Sequence, residues 1–278
     1  MQKISVTAKD GAAIPVVVSG IDSAGKKGIV IISHGFGEHS GSYAELAEVL
    51  LQAGYASLIP DQRGHGIPPV GVSKWHGIIP SYQSFLEDII TLVDFTRRMA
   101  PDTPIVLYGH SMGGNIAVNT LLRYDLGFTC AVLESPWLGL FDPLDPVKVA
   151  LIKLLGRLSP SITIERKLRK SDLTTDEVKA EGYVRDPYYH NIVSMRMLSG
   201  VLNGCVFALK NANQLNLPTF IGIAKNDRVV CNKAINSFII NAGDMSTAKE
   251  YESNHAIHND VHHETYYSDV IAFLDSHC

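Results

Sequence analysis

A chain of 278 residues can form one large domain with an insertion or two small domains, and its 46% apolar and 19% charged content is typical of a globular protein with a substantial core. The net charge of −4 gives no electrostatic basis for binding nucleic acid, which is therefore excluded as an expected partner. The sequence lacks both a signal peptide pattern and the roughly 18 consecutive apolar residues of a membrane span. The four cysteines are scattered, without the spacing of metal ligands or of a disulfide framework, so we expect a reduced, cytoplasmic protein.

Short β-branched segments alternate with helical patterns, which indicates a mostly parallel sheet with crossover helices. The first two segments, KISVTA and IPVVVSG, are predicted to form an antiparallel hairpin across Asp10 and Gly11. GIVIIS at 28–33 is continuously apolar, as expected for a central strand covered on both faces. Four further core strands are predicted at YASLIP, PIVLYG, CAVLES and LPTFIGIA. Helices are predicted at 43–54, 84–99, 112–124 and 232–240, and again after Asp260.

The alternation stops between residues 136 and 213, where charge clusters, prolines and helical patterns occur without a convincing core strand. We predict that residues 136–213 form a helical cap over the C-terminal edge of the sheet, and that residues 1–135 and 214–278 form the core. Within the cap, residues 145–162 contain a helical pattern with one apolar face, formed by Val147, Leu151, Leu154, Leu155 and Leu158. This face is predicted either to pack on the core or to line an acyl-chain channel or contact a lipid surface.

The sequence Gly109-His110-Ser111-Met112-Gly113 has the pattern G-x-S-x-G, with the apolar segment PIVLY before it and the helical pattern NIAVNTLLRY after it. In such a strand–turn–helix context the serine lies on a strained turn that exposes its hydroxyl, and the glycines remove side chains that would collide across the turn. The pattern therefore predicts that Ser111 is a nucleophile.

A serine hydroxyl needs a base to take its proton and an acid to orient that base, and on this type of turn they follow in the order Ser, Asp, His. Asp227 lies in KNDRVV, directly after the strand LPTFIGIA, and is the candidate acid. Asn226 and Asp227 are also good turn residues, so a purely structural role stays open. Glu134, at the end of the preceding core strand, is the alternative acid.

The base is expected among the histidines of the C-terminal region. His255 follows the short strand-like segment AKEYES and precedes the last helix, which places it in a loop at the top of the sheet. We therefore predict His255 as the base and His258 as a residue that supports or caps the helix. His258 and His262 could bind a metal at i, i+4 spacing, but a third ligand is missing, and His262 and His263 are more simply a solvated helix face.

Attack on a carbonyl also requires two backbone N–H groups for the developing negative charge. One is expected from Met112, the residue after the nucleophile, and the other from the loop after the third strand. That loop has the sequence Ser33-His34-Gly35-Phe36-Gly37, in which Phe36 is positioned to donate its N–H. Phe36 and Met112 are therefore the predicted oxyanion-hole residues.

The sequence resembles the α/β-hydrolases, and within them the monoacylglycerol lipase and lysophospholipase branch of serine aminopeptidase-like hydrolases. The resemblance covers nearly the whole chain and rests on the motifs HGFGEHSGSY, DQRGHG, GHSMGG, KNDRVV and NHAIHND. It implies an α/β-hydrolase fold with a helical cap, a triad of Ser111, Asp227 and His255, and oxyanion amides from Phe36 and Met112. It implies neither a cofactor nor a metal.

The leading hypothesis is a serine hydrolase of carboxylic esters with a lipophilic acyl group, namely monoacylglycerols or lysophospholipids. The expected partner is thus a small lipid-derived ester, with at most transient contact between the cap and a membrane surface. Alternatives are a short-chain carboxylesterase, or an aminopeptidase-like amidase in which Glu38, Glu134 or acidic cap residues would bind the substrate's amino group. A binding protein that keeps the fold without turnover is a third class.

Overall fold

The computed structural model of the protein describes residues 1–69, 72, 74–166 and 168–278. The described strands are β1 (Gln2–Thr7), β2 (Ala13–Ser19), β3 (Gly28–Ser33), β4 (Tyr55–Pro60), β5 (Ile105–His110), β6 (Cys130–Glu134), β7 (Thr163–Glu165), β8 (Ile192–Ser194), β9 (Thr219–Ala224) and β10 (Ser246–Tyr251). The described helices are α1 (Ala44–Gln52), α2 (Tyr82–Met99), α3 (Met112–Arg123), α4 (Pro146–Leu158), α5 (Lys170–Leu173), α6 (Glu177–Arg185), α7 (Met195–Asn211), α8 (Asn232–Ala242) and α9 (His263–Asp275). Within those ranges, the helices all fall short of the length and apolar content needed to cross a membrane.

Eight strands form one sheet in the order β1-β2-β4-β3-β5-β6-β9-β10. β1 pairs antiparallel with β2, and β2 with β4, whereas each neighbouring pair from β4 to β10 is parallel. All residues of β3, β4, β5, β6 and β9 are buried. Because helices cover both faces, these strands are continuous apolar runs instead of alternating patterns. The predicted mostly parallel sheet and its opening hairpin are confirmed.

The parallel strands bring their C-terminal ends to one edge of the sheet. Ser111 follows β5, Ser135 follows β6, and the loops after β9 and β10 contain Asp227 and His255. Residues that are more than a hundred positions apart in the chain can therefore meet in one place, as expected for ligand sites of open α/β sheets.

Residues 136–213, which we call the cap, contain α4 to α7 and a separate antiparallel pair, β7 and β8, that lies outside the main sheet. α7 packs against α3 of the core and α4 packs against α7. A side chain at Gly156 would approach Ser199 Cβ to 2.9 Å, so the glycine lets α4 cross close to α7 as one continuous helix. We propose that these residues form a unit distinct from the core, attached to it mainly through α7.

The apolar face of α4 is not buried against the sheet. No residue of α4 is fully buried, and the side chains of Val147 and Leu158 are 77% and 72% exposed. Leu155, by contrast, is half-buried and faces a cavity between α4 and α7. The first of the two predicted roles, packing of this face directly on the core, therefore does not fit the structure.

Candidate active site

Ser111 lies on a strained turn between β5 and α3, with φ of 52° and ψ of −115°. A side chain at position 113 would lie 1.9 Å from the carbonyl oxygen of Ser33, and one at position 109 would lie 2.5 Å from the carbonyl oxygen of Gly113. Only glycine fits such contacts, because the clashing atoms belong to the backbone and cannot rotate away. The Trp137 N–H donates to the Ser111 carbonyl oxygen at 2.8 Å and holds the turn in place.

The side chains of Ser111, His255 and Asp227 form one continuous hydrogen-bonded chain. His255 Nε2 lies 2.8 Å from Ser111 Oγ, and His255 Nδ1 lies 2.7 Å from Asp227 Oδ2. Since an aspartate oxygen can only accept, Nδ1 carries the proton and leaves Nε2 to accept from the serine hydroxyl. The second oxygen of Asp227 accepts from the N–H groups of Val229 and Val230, at 2.7 and 2.9 Å. These bonds hold the carboxylate in the orientation that His255 requires.

The alternative acid and the second candidate histidine form a separate pair. His258 Nδ1 lies 2.9 Å from both carboxylate oxygens of Glu134, and the His258 N–H also donates to Glu134 at 2.9 Å. Glu134 thus contacts His258 and leaves Asp227 as the acid partner of His255. His262 is exposed, whereas His258 is buried and turned toward Glu134, so the i, i+4 pair does not form a shared site.

The two predicted oxyanion amides lie on adjacent segments. The close contact of Gly113 with Ser33 and His34 shows that the first turn of α3 packs on the loop that contains Phe36. In the described part of the chain, neither the Phe36 N–H nor the Met112 N–H donates a hydrogen bond to another residue. Met112 opens α3, where N–H groups lack an intrahelical acceptor. Both N–H groups thus lack an acceptor among the described residues, as the predicted oxyanion role requires.

A family model described as Hydrolase_4, serine aminopeptidase S33, matches residues 24–262, which include Ser111, Asp227 and His255. The chain belongs to this family. The matched range therefore includes the loops that contain the candidate site residues.

Similar proteins include a monoacylglycerol lipase of Mycolicibacterium smegmatis, 34% identical over 165 residues that cover 59% of this chain and 57% of that protein. The phospholipase YtpA of Bacillus subtilis is 26% identical over 253 residues, covering 90% of this chain and 95% of that protein. The crystal structure of a soluble variant of monoglyceride lipase from Saccharomyces cerevisiae with a substrate analog has a TM-score of 0.85 at 24% identity, covering 99% of this chain and 94% of that chain. This likeness confirms the predicted α/β-hydrolase fold. The chain spans less than two thirds of the Mycolicibacterium relative.

Beneath the serine and histidine lies a buried polar cluster that the sequence did not reveal, formed by Glu38, Tyr43, His110, Glu134 and His258. Burial alone would raise the pKa of Glu134, but His258 and His110 lower it to about 2. Burial would also lower the pKa of His258, yet the charge and hydrogen bonds of Glu134 raise it above the usual value. The carboxylate of Glu134 thus favours the protonated form of His258, and the ring of His110 lies 4.9 Å from the ring of His255.

Three side chains of this cluster, His110, Glu134 and His258, have ligand atoms within 4.8 Å of one another and could hold a metal ion. Two imidazoles and a carboxylate are ligands that Zn²⁺ accepts. However, Glu134 already accepts from the Tyr108 hydroxyl and twice from His258. We interpret the cluster as a hydrogen-bonded support for the loop that contains His255. Glu38 and His258 were visible in the motifs HGFGEHSGSY and NHAIHND, but no spacing rule brought them together.

The loop of His255 is held by the cap and by Asp260, another residue that the sequence analysis did not single out. The His255 and Ala256 N–H groups donate to the carbonyl oxygens of Asp172 and Leu173, at 3.3 and 2.8 Å. The Asp260 carboxylate accepts from the Asn254 N–H at 2.7 Å. An aspartate shortly before a helix is a common capping signal, and here it orders the loop before α9.

Buried histidines make the stability of the fold dependent on pH. Burial, together with the charge of His76, lowers the pKa of His190 to about 4. Burial likewise lowers the pKa of His110 to about 4. In the unfolded chain both rings take up a proton near the ordinary value of 6.5. The unfolded state therefore binds more protons between these two values, and the free energy of unfolding falls as the pH falls through this window.

We expect His190→Gln to reduce the slope of unfolding free energy against pH by about 1 kcal/mol per pH unit below pH 6.5. Urea unfolding of both proteins at several pH values across the window measures the slope. His262→Gln is the matched control, because His262 is exposed, and it should keep the wild-type slope. Equal slopes in wild type and His190→Gln would contradict the prediction.

Proposed function

We propose that the protein is a serine hydrolase of carboxylic esters with a lipophilic acyl group, such as monoacylglycerols or lysophospholipids. The observation that supports this most directly is the chain of short contacts from Ser111 through His255 to Asp227, at 2.8 and 2.7 Å. The family membership and the monoacylglycerol lipase and phospholipase among the relatives agree with it.

In the proposed mechanism, His255 takes the proton of Ser111 as the hydroxyl oxygen attacks the ester carbonyl. Asp227 keeps the imidazole in the required tautomer and stabilises the imidazolium that forms. The N–H groups of Phe36 and Met112 stabilise the oxyanion; loss of one such donor typically raises the barrier by about 3 kcal/mol. His255 then protonates the leaving alcohol, and a water activated by the same ring releases the acid from the acyl-enzyme.

A cavity next to the site, with a lining that is more apolar than polar, supports a lipophilic substrate. It has a volume of about 690 Å³, within the range of typical ligand pockets, and it lies under α4. Its lining includes Leu151 and Leu155 of α4 and Leu198 of α7. The space directly at Ser111 is only about 10 Å³, but it adjoins the cavity. The residues that line both are Arg166, Leu168 and Val229. We therefore propose that the acyl chain occupies the cavity.

The structure gives less support to an aminopeptidase. Glu38 is the carboxylate that lines the small space at Ser111, and its Oε2 already accepts from the Gly35 N–H and the Tyr43 hydroxyl, at 2.8 and 2.6 Å. Glu134 is fully buried and bonded to His258. Glu134 is therefore not free to bind an amino group, and one carboxylate oxygen of Glu38 is already occupied. A short-chain esterase is the better supported alternative. It would use the same triad, but its short acyl group would leave the cavity empty.

A series of p-nitrophenyl esters from acetyl to lauroyl, with monoacylglycerols and aminoacyl anilides, tests the proposal. We expect kcat/KM to rise about two- to fourfold per added methylene until the cavity is filled, because each buried methylene contributes roughly 0.8 kcal/mol. Leu155→Trp, which would fill part of the cavity, should abolish this rise and spare the acetyl ester. Leu158→Trp is the matched control on the same helix, since Leu158 is 72% exposed.

Two outcomes would refute the lipid proposal. Fastest turnover of the acetyl ester would favour a short-chain esterase, and fastest turnover of anilides would favour an amidase. Contact of α4 with a lipid surface stays a prediction, which the exposed Val147 and Leu158 support. It is tested by comparing the rate of hydrolysis of monoacylglycerol in vesicles with the rate for a monomeric ester. A cytoplasmic location likewise stays a prediction from the sequence.

A further inference from the structure

Arg166 stands at the junction between the acyl cavity and the space at Ser111, and the proposed mechanism does not use it. Its guanidinium carbon lies 4.6 Å from the centre of the Trp137 ring and 5.7 Å from the centre of the Phe36 ring. Trp137 is bonded to the backbone of Ser111, and Phe36 supplies a proposed oxyanion amide. The positive charge of Arg166 therefore lies near the segments of Trp137 and Phe36, which border the proposed position of the ester carbonyl.

No carboxylate in the described part of the chain neutralises this charge. Two other arginines show what such a pair looks like. Arg63 contacts Asp10 and Asp88 at 2.7 Å, and Arg185 contacts Glu181 at 2.6 Å. Burial lowers the pKa of Arg166 to about 10, which shows that its charge is poorly compensated by the surrounding side chains. The four residues outside the described ranges contain no acid. A desolvated guanidinium without a counter-charge is unfavourable, and an anionic ligand would relieve that cost.

The surroundings of the cavity are also basic, although the whole chain has a net charge of −4. Arg169 and Arg228 line the cavity together with Arg166, against Asp142 and Asp172. Arg169 and Arg228 are exposed and form no ion pair among the described residues. They would attract a negatively charged amphiphile to the entrance, where Arg166 is the innermost of the three.

We propose that Arg166 binds the anionic group of the substrate, and that the site therefore prefers an acylglycerol phosphate to a neutral monoacylglycerol. This inference rests on the proposed ester hydrolase activity and narrows its substrate class. The planar guanidinium can bind a phosphate through two parallel N–H donors while it stays close to the rings of Trp137 and Phe36. The acyl chain extends into the cavity, and the phosphate stays at the junction, close to the ester that Ser111 attacks.

The test compares 1-decanoylglycerol with 1-decanoylglycerol 3-phosphate as monomers. For the wild type we expect a higher kcat/KM with the phosphate ester. Arg166→Gln should lower that value about 10- to 100-fold, the effect of losing a charge-assisted hydrogen bond, and change the value for the neutral ester less than about threefold. Arg166→Lys should recover only part of the loss, because lysine keeps the positive charge but lacks the two parallel N–H donors of arginine. Arg157→Gln removes an exposed arginine of α4 and should leave both values unchanged.

A second measurement does not depend on turnover. In the Ser111→Ala background, dodecyl phosphate should bind more tightly than dodecanol by calorimetry, and Arg166→Gln should remove the difference. An equal loss of activity on both esters would mean that Arg166 only holds the cap against Trp137 and Phe36, and would overturn the proposal. So would a wild-type preference for the neutral ester. Failure to hydrolyse any ester would instead defeat the proposed function itself.

Discussion

Replacing Ser111 with alanine is expected to lower kcat for ester hydrolysis by roughly a millionfold, because Ser111 is the proposed nucleophile and its hydroxyl contacts the proposed base His255. Asp227→Asn should lower kcat by about 10⁴-fold, since the amide would favour the wrong tautomer of His255. Hydrolysis of a long-chain p-nitrophenyl ester measures both effects. A fluorophosphonate probe should label the wild type and should fail to label Ser111→Ala.

The matched control for Ser111 is Ser135→Ala. Ser135 is buried, has a positive φ of 41°, and its hydroxyl has no partner within the described residues. This variant should keep activity within about threefold of wild type, because serine and alanine tolerate that backbone conformation similarly. Glu134→Gln tests the alternative acid. If Glu134→Gln lost as much activity as Asp227→Asn and kept its stability, the assignment of Asp227 would be wrong.

Gly113→Ala is expected to destabilise the fold by more than about 4 kcal/mol, or to prevent folding. The new Cβ would lie 1.9 Å from the carbonyl oxygen of Ser33 and 2.4 Å from its carbonyl carbon. Both atoms belong to the end of β3, so relief would require α3 to move away from the central sheet. Soluble yield and the urea midpoint measure the effect.

Gly182→Ala is the control for this prediction. Gly182 lies in α6, and a Cβ there would meet no atom within 4 Å. Since alanine favours the helix over glycine, the free energy of unfolding should rise by up to about 1 kcal/mol. A Gly113→Ala protein that unfolds within about 1 kcal/mol of wild type would show that α3 does not approach β3 as closely as described.

Much of the fold could be predicted from the sequence because its signals are local. A strand buried on both faces is a continuous apolar run, as in β3 and β5, and the first strands are joined by a recognisable turn at Asp10 and Gly11. Ser111 could be proposed as the nucleophile for a similar reason, because the pattern G-x-S-x-G lies directly between an apolar segment and a helical pattern. These features depend on neighbours within a few residues, so a one-dimensional pattern records them.

The partners of the buried acids and the exposure of α4 could not be predicted from the sequence, because they depend on which distant segments come into contact. Asp227 and Glu134 both follow core strands, and only the side-chain bonds show that Asp227 faces His255 while Glu134 faces His258. The apolar face of α4 was visible, but its exposure and the cavity beneath it follow from packing against α7. Arg166 belongs to no motif.

The sequence by itself thus determined the sheet, the order of the candidate site residues along the chain and the turn at Ser111, because periodicity and motif spacing are local features. The tertiary structure alone decided the partner of each acid, the cluster beneath His255 and the place of Arg166 between Trp137 and Phe36. Those outcomes depend on burial and charge pairing, which arise only when segments far apart in the chain come into contact.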